Sequence, residues 1–373
     1  MNSMKVLHLF NEINFSGAEL MYSDAAEYLQ ENGIEIYALS TGDNFGNFVA
    51  KFRERGIFVA HKPYQAKIVL SFSGISFYWF LFKFLNKNKI DVLHIHRSNI
   101  YFAGIIAFLK GIPCIKTQHS VFYNKKITLS IAISRRMILR KFFNVKFHTI
   151  GESVYSHELN YYKNPTIKIN NWFNPMRFYE PTGKEKANAR DLLNITKNTF
   201  VIISVGGCSY IKNHHDILRA IAKLKNELDV LYLHLGQGVT ECEEKELAKE
   251  LGVENNVRFI GNKENVREYL IASDVYVMTS KGEGLSISCL EVMACKVPVI
   301  LYNVMGLKDM IKENDNGFLI ESNPMALADK IVLYANSELI RIEKSTSALA
   351  YVKANHDIYK NVNSILDLYS NKF

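Results

Sequence analysis

The segment "TFVIISVGG" (Thr199–Gly207), with "HHDILRAIAKLKNEL" (His214–Leu228) just after it, decides the fold. The first part is an apolar, β-branched run that stops at two glycines. It predicts a strand buried on both faces with a tight turn at its carboxyl end. The second part repeats apolar residues at helical spacing and predicts an amphipathic helix. Strand, glycine turn and helix in that order make half of a βαβ unit. Downstream, "VLYLHLGQG" (230–238), "VRFIG" (257–261), "SDVYVMTS" (273–280) and "PVILYN" (298–303) continue the style. Upstream, Lys5–Phe10, "IEIYALS" (34–40), "DVLHIH" (91–96), "PCIKTQ" (113–118) and "KFHTI" (146–150) alternate with helical stretches at Ala18–Asn32, "IYFAGIIAFLKG" (100–111) and Leu129–Phe143. This alternation predicts an α/β fold of two domains, each a parallel sheet with helices on both faces. The expected domains are 1–170 and 171–350, with a closing helix in 351–373 returning to the first. A segment rich in Asn, Pro and Gly, about 165–185, is the expected linker.

Composition narrows the class. Of 373 residues, 48% are apolar and 22% charged, as in an ordinary globular protein. The most tempting membrane segment, Ile68–Leu85, carries Gly74, three serines and Lys83, so a buried helix is the expectation. Val6–Phe10 is too short for a signal peptide core. Five cysteines (114, 208, 242, 289, 295) show neither metal-ligand spacing nor a disulfide pattern, which points to a reducing, cytoplasmic setting. Net charge is +8, but Arg55–Gly151 holds sixteen Lys or Arg and one acid, leaving the remainder at −7. That asymmetry suggests an anionic partner for the first half, or simply a solvated basic face. No nucleic-acid partner is expected.

"KGEGLSISCLEVMACKVPVI" (Lys281–Ile300) places Glu283 beside Gly284 and then Glu291 in an apolar run. Ser286 is a cap for the helix that follows. The free amides of a helix's first turn suit a diphosphate, and carboxylates suit vicinal hydroxyls. A salt-bridged pair on a helix face explains the two glutamates equally well. The wider pattern decides between them. "EGLSISCLE" (283–291), "SVGGCSYIKNHHDIL" (204–218), "FSGAEL" (15–20), "KTQHS" (116–120), "INNWFNPMRF" (169–178) and "NDNGFLIE" (314–321) stand in the order of the motifs of the retaining glycosyltransferases of family 4. The chain resembles that family over about residues 4–330.

The resemblance implies the GT-B fold, two Rossmann-like domains facing across a cleft, and sugar transfer from a nucleoside diphosphate with retained anomeric configuration. It implies that Glu291 binds the ribose, Glu283 and His119 the transferred sugar, and Lys212 the phosphates. Gly284 and Leu285 would contact the sugar, the amides at Ser286 the diphosphate, and Gly17 and Gly206 would let the backbone approach it. Glu283, His119 and Lys212 are the expected catalytic groups. The family's usual arginine is replaced by Gly207, and its usual glycine by Lys296, which predicts a turn that avoids positive φ there. With a lysine at the phosphates and no Asp-x-Asp, no metal or other cofactor is expected.

The acceptor side is read from "KKITLSIAISRRMILRKFF" (125–143), basic, without an acid. Lys125, Lys126, Arg135, Arg136 and Arg140, with Phe122 and Tyr123, suit an anionic membrane surface. The expectation is a peripheral enzyme at the inner face of the cytoplasmic membrane, acting on an undecaprenyl-diphosphate-linked glycan in surface polysaccharide assembly (O-antigen, capsule or exopolysaccharide). The alternative is a non-catalytic, nucleotide-sugar-binding partner subunit. A dinucleotide oxidoreductase is disfavoured by the absence of Gly-x-Gly-x-x-Gly after a strand. No signal supports a phosphorolytic relative.

Overall fold

The computed structural model describes residues 3–64, 71–97, 99–313 and 315–370. Ile68–Leu70 of the apolar stretch and Asn314 of the "NDNGFLIE" loop lie outside these residues, as do the side chains of Lys126 and Ile127. The chain divides into unit 1, Met1–Asn171 with Ile358–Phe373, and unit 2, Trp172–Asp357.

Unit 1 runs β1 (Met4–Phe10), α1 (Gly17–Asp24), α2 (Ala26–Glu31), β2 (Ile34–Ser40), α3 (Val49–Glu54), β3 (Phe58–His61), α4 (Phe72–Asn88), β4 (Val92–Ile95), α5 (Phe102–Leu109), β5 (Cys114–Gln118), α6 (Lys126–Phe142), β6 (Val145–Thr149), α7 (Glu152–Asn160) and β7 (Ile167–Lys168). Its sheet has the order β3-β2-β1-β4-β5-β6-β7, and its ladders are parallel. Leu7, Leu9, Leu39, Leu93 and Ile95 pack with Phe77, Leu81 and Leu85 of α4 to form its core. The helix expected at Ala18–Asn32 is split at Ala25 into α1 and α2 and ends at Gly33, φ +80°. The expectation that Ile68–Leu85 is a buried helix holds for one side only. Phe77, Tyr78, Leu81 and Leu85 are buried, while Phe72, Ile75 and Trp79 face outward.

Unit 2 runs α8 (Gly183–Leu192), β8 (Phe200–Val205), α9 (His215–Leu224), β9 (Val230–Leu235), α10 (Glu241–Glu250), β10 (Val257–Phe259), α11 (Arg267–Ala272), β11 (Val275–Met278), α12 (Ile287–Ala294), β12 (Val299–Tyr302), β13 (Phe318–Ile320), α13 (Pro324–Asn336) and α14 (Glu338–Asn355). Its parallel sheet has the order β10-β9-β8-β11-β12-β13. Every residue of β9 is buried, as a strand covered on both faces requires. Ile217, Leu218, Ile221 and Leu224 of α9 form the predicted apolar stripe against this sheet. After unit 2 the chain ends in α15 (Ile358–Tyr369), which belongs to unit 1 and buries Val362, Ile365, Leu368 and Tyr369.

One local expectation needs correction, at Lys296, and the linker can be described more closely. Residues 165–185 hold the boundary between units, as the linker reading expects, and they are anchored there, because Trp172 and Phe178 are almost fully buried. The Asn-Pro composition there reflects turns around buried aromatic anchors. Lys296 does adopt positive φ, +56°. It ends α12 in a Schellman arrangement, with Lys296 N–H donating to the Met293 carbonyl (3.1 Å) and Val297 N–H to that of Val292 (3.3 Å). Its ammonium pairs with Glu180 at 2.7 Å, so a lysine occupies a turn that favours glycine.

Candidate active site

In an open parallel sheet the ligand crevice lies beyond the carboxyl ends of the strands where the order reverses. In unit 2 that point falls between β8 and β11. Lys212 comes from the loop after β8 and Glu283 from the loop after β11. Although 71 positions apart, they meet at this point, with Lys212 Nζ 2.7 Å from Glu283 Oε1. Their side chains are 24% and 16% exposed, so the pair is sheltered but reachable.

The backbone around the pair is tightly specified. Glu283 N–H donates to the Met305 carbonyl at 3.0 Å, and Lys281 N–H to that of Ile211 at 2.8 Å. Gly306, at φ +83°, sits so close under this turn that a Cβ would strike the carbonyls of Glu283 and Gly284. Gly206 lies beside the Lys212 side chain, whose Cε is 3.3 Å from where its Cβ would be. Gly236 in turn abuts the Gly206 carbonyl, and a Cβ there would collide with it. At Gly207 a Cβ would meet the Gln237 carbonyl closely, at 3.2 Å.

Ser286 caps α12, its hydroxyl accepting from Cys289 N–H at 3.3 Å. Gly284, Leu285 and Ser286 are buried, and Glu291 lies on the second turn of α12, 8% exposed. The loops thus place Lys212, Glu283, Gly206, Gly284, Leu285, Ser286 and Glu291 in one unit, on elements joined at one end of one sheet.

Unit 1 holds the other predicted groups. Gly17 is exposed and opens α1, where Ser16 hydrogen-bonds Glu19; burial raises the Glu19 carboxyl to about 7. His119 is half-buried just after β5, its Nε2 3.0 Å from His96 Nδ1. His96 Nε2 meets His8 Nδ1 at 2.9 Å, and His8 Nε2 meets the Tyr369 hydroxyl at 3.5 Å. Tyr369 then pairs with His94 Nδ1 (2.8 Å), His94 Nε2 with Thr117 (2.6 Å), and Thr117 with His148 Nδ1 (2.9 Å). The chain closes where His148 Nε2 donates to the Ile169 carbonyl at 3.0 Å.

A carbonyl can only accept, so this end sets the direction of the other bonds. Followed back, it makes each imidazole a donor through Nε2, including that of His119 toward His96. His119 Nδ1 is left as an acceptor. Burial lowers the pKa of all five imidazoles, and neutral rings are what such a chain needs. Sequence reading found His119 and missed His8, His94, His96 and His148. The alternation in "LHIH" places His94 on β4 and His96 two positions on, on the same side, and was the available signal.

The surface read as basic divides. Lys125 and Arg135 are exposed, and Arg135 lies over the Tyr101 ring at 4.2 Å. The backbone of Lys126 opens α6. Arg140 is half-buried. Arg136 is not a surface cation. It is 7% exposed and forms a two-pronged pair with Glu158 at 2.9 and 3.0 Å, its guanidinium over the Tyr162 ring at 3.6 Å. The absence of acids within 125–143 hid this, because the partner comes from α7. Phe122 and Tyr123 are exposed, as are Ile131, Met137, Ile138 and Phe142 of α6. Between α5 and α6 lies an apolar cavity of about 460 Å³ lined by Phe102, Ile105, Ile131, Arg135 and Ile138, among others. Among the described residues no helix is long and apolar enough to cross a membrane.

Comparison with known proteins decides the family. Residues 185–353 match Glycosyl transferases group 1, and residues 15–156 match Glycosyltransferase Family 4. An N-acetyl-alpha-D-glucosaminyl L-malate synthase of Bacillus anthracis is 33% identical over 349 residues, 87% of this chain and 86% of that protein. The chain belongs to glycosyltransferase family 4. It is an enzyme, a glycosyltransferase, and the alternative of a non-catalytic partner subunit is set aside. A UDP-Gal:alpha-D-GlcNAc-diphosphoundecaprenol alpha-1,3-galactosyltransferase of Escherichia coli is 25% identical over 303 residues, 78% of this chain and 77% of the relative. Anabaena HepE, solved with UDP and glucose, superposes with a TM-score of 0.82 at 20% identity, covering 98% of this chain and 99% of that one. That likeness gives the fold class, the two Rossmann-like units of GT-B proteins.

Proposed function

We propose that this glycosyltransferase moves a sugar from a nucleoside diphosphate to a hydroxyl of a lipid-diphosphate-linked glycan, retaining the anomeric configuration, at an anionic membrane surface. The Lys212–Glu283 pair at the β8/β11 crevice carries the donor side of this reading. When a sugar diphosphate enters, Lys212 turns to the phosphates and Glu283 accepts from sugar hydroxyls. Ser286 and the first turn of α12 face the diphosphate, and Glu291 accepts from the ribose. The acceptor oxygen attacks the anomeric carbon on the face from which the diphosphate departs. As the carbon–oxygen bond to the diphosphate breaks, the departing phosphate oxygen takes the acceptor proton. The ammonium of Lys212 offsets the charge that develops there. With that cation in place the diphosphate needs no divalent ion.

Unit 1 takes the acceptor. Its exposed cations and the apolar cavity between α5 and α6 suit a headgroup and a lipid tail respectively. A small dicarboxylate acceptor is the second reading, favoured by the malate synthase relative.

The test begins with a thermal-shift screen of nucleotide sugars. A binding donor raises the melting temperature, and Glu291→Ala removes the rise. Product analysis with the donor so found must give the anomer of the donor. An inverted product sinks the mechanism, and turnover abolished by chelation and restored by magnesium or manganese sinks the metal-free donor site. Recovery in flotation with anionic but not neutral vesicles supports the membrane surface; equal recovery, with transfer to malate, favours the second reading.

A further inference from the structure

Beneath the loop that carries Lys212, four chemically distinct ligand groups converge from separated parts of unit 2. Cys208 follows β8, His214 precedes α9, His234 lies on β9 and Glu244 lies on α10. All four are buried, at most 3% exposed, and their ligand atoms lie within 4.8 Å of one another. His234 Nε2 is 2.9 Å from His214 Nδ1, 3.0 Å from Glu244 Oε2 and 3.8 Å from Cys208 Sγ. His214 Nδ1 is 3.3 Å from Glu244 Oε1. A tetrahedral ion with bonds of about 2.0–2.3 Å has ligand–ligand edges of about 3.3–3.7 Å. The observed separations bracket that range.

Hydrogen bonding alone leaves this cluster incomplete. The Thr240 hydroxyl donates to Glu244 Oε1 at 2.7 Å, but Glu244 Oε2, fully buried, closes no hydrogen bond. His234 Nε2 and His214 Nδ1 face each other, so only one of them can carry the shared proton. Buried acceptors aimed at a common point call for a cation.

We infer that Cys208, His214, His234 and Glu244 form a structural transition-metal site of the zinc class, which clips the two ends of the phosphate loop together. A thiolate, a carboxylate and two neutral imidazoles make a dication electrically neutral and fill four positions, as closed structural sites do. Metal entry releases the Cys208 proton; without metal, burial and the Glu244 carboxylate push that thiol up to about 12. Cys208 and His214 bracket Ser209–Asn213, which contains Lys212, so the ion fixes the span from which the ammonium reaches Glu283.

The competing cluster in unit 1, His8, His94 and His96, has no anionic ligand, and each of its ring nitrogens is already hydrogen-bonded. The inference rests on side chains of unit 2 alone and stands apart from the donor and acceptor assignments.

The test uses the full chain purified without a metal-affinity tag, with zinc and cobalt(II) as probes. Elemental analysis is expected to find about one zinc per chain. Cys208→Ser and His214→Gln lose it, while Cys295→Ser, at a buried cysteine elsewhere, keeps it. Cobalt(II) added to the chelated chain gives a thiolate-to-cobalt absorption band that Cys208→Ser abolishes. Zinc, but not magnesium, restores the melting temperature of the chelated chain. A native chain that holds under about a tenth of an equivalent, with neither band nor melting shift on adding metal, overturns the inference. So does metal that survives Cys208→Ser but disappears in His94→Gln.

Discussion

The two units share a sheet plan and put opposite chemistry at the same place in it. Each sheet reverses its order beside its first strand, at β1/β4 in unit 1 and β8/β11 in unit 2. In unit 2 that crevice holds an ammonium and a carboxylate in contact. In unit 1 it holds a chain of neutral imidazoles. The cations nearby are turned into the backbone, Arg97 donating to the Thr41 and Tyr64 carbonyls and Lys116 to that of Arg97. Yet unit 1 carries a net +11 and unit 2 a net −3. Net charge therefore says little about which crevice handles a diphosphate. What matters is which side chains the loops leave free to turn toward a ligand.

The most damaging single change expected for the fold lies in unit 1, away from its crevice. Arg136→Met strips the buried Glu158 carboxylate of its partner and should cost about 3–5 kcal/mol. Arg135→Met, one position along and exposed, should change stability by less than about 0.5 kcal/mol. Urea melts of both variants check this, and equal losses would mean that the helix presents its cations alike. The next effect contrasts the crevices directly. Lys212→Met removes the cation that we propose faces the leaving group and should cut kcat by about 10²–10³. His119→Asn removes one neutral hydrogen bond, worth about 0.5–1.5 kcal/mol, and should cut kcat by roughly tenfold or less. A reversed ranking would move the chemistry into unit 1.

The sheets were legible from sequence because parallel strands must be apolar throughout and their turns must end in glycine or small residues. "IEIYALS" became β2 residue for residue, and the stripe on α9 fell where its spacing put it. Contacts that depend on distant side chains were not legible. Arg136 read as a surface cation because Glu158 is 22 positions away on the next helix. The Cys208–Glu244 convergence shows no spacing motif, since two of its members lie on a strand and a helix that only folding brings together. Lys296 misled for another reason. Its neighbours demanded a left-handed turn, and a residue that disfavours that conformation was held in it by the capping bonds.

Acid should weaken unit 1 through its buried imidazoles. His8 and His148 are held to about 3 and about 4 by burial, and His94 is well below its usual value. Below pH 6.5 the unfolded chain therefore binds protons that the folded unit 1 refuses. Their contribution is complete above pH 6.5 and falls with acidification by about 1.4 kcal/mol per pH unit for each histidine. Glu19, raised to about 7, acts oppositely: its contribution is present below about 4.5 and lost as pH rises through 7. With His96 and His119 lowered as well, one carboxyl against five imidazoles leaves a net loss on going from pH 6.5 to 5. In unit 2, the Glu244 carboxyl is held below its usual range, although burial opposes this, by the imidazoles of His214 and His234 beside it, so its contribution is complete above about pH 4.5 and is lost as pH falls below that. Urea melts at stepped pH should show the slope, and His148→Gln should reduce it by one histidine's share. A flat profile between pH 6.5 and 5 would mean that the imidazole chain is charged in the folded state.

The smallest effect tests the backbone rather than the charges. Lys296→Gly and Lys296→Ala both lose the partly exposed contact with Glu180, worth at most about 1 kcal/mol. The two differ in what they do at φ +56°. Alanine keeps a Cβ in the left-handed region, whereas glycine relieves it and gives back part of the gain through the greater freedom of its unfolded chain. Glycine should be the more stable of the two by about 1 kcal/mol, and the lysine chain should fall between them or match the glycine variant. Because both variants lack the ion pair, their difference isolates the turn. If alanine equals glycine, the lysine is not strained there, and its place at the end of α12 follows from the Glu180 contact instead.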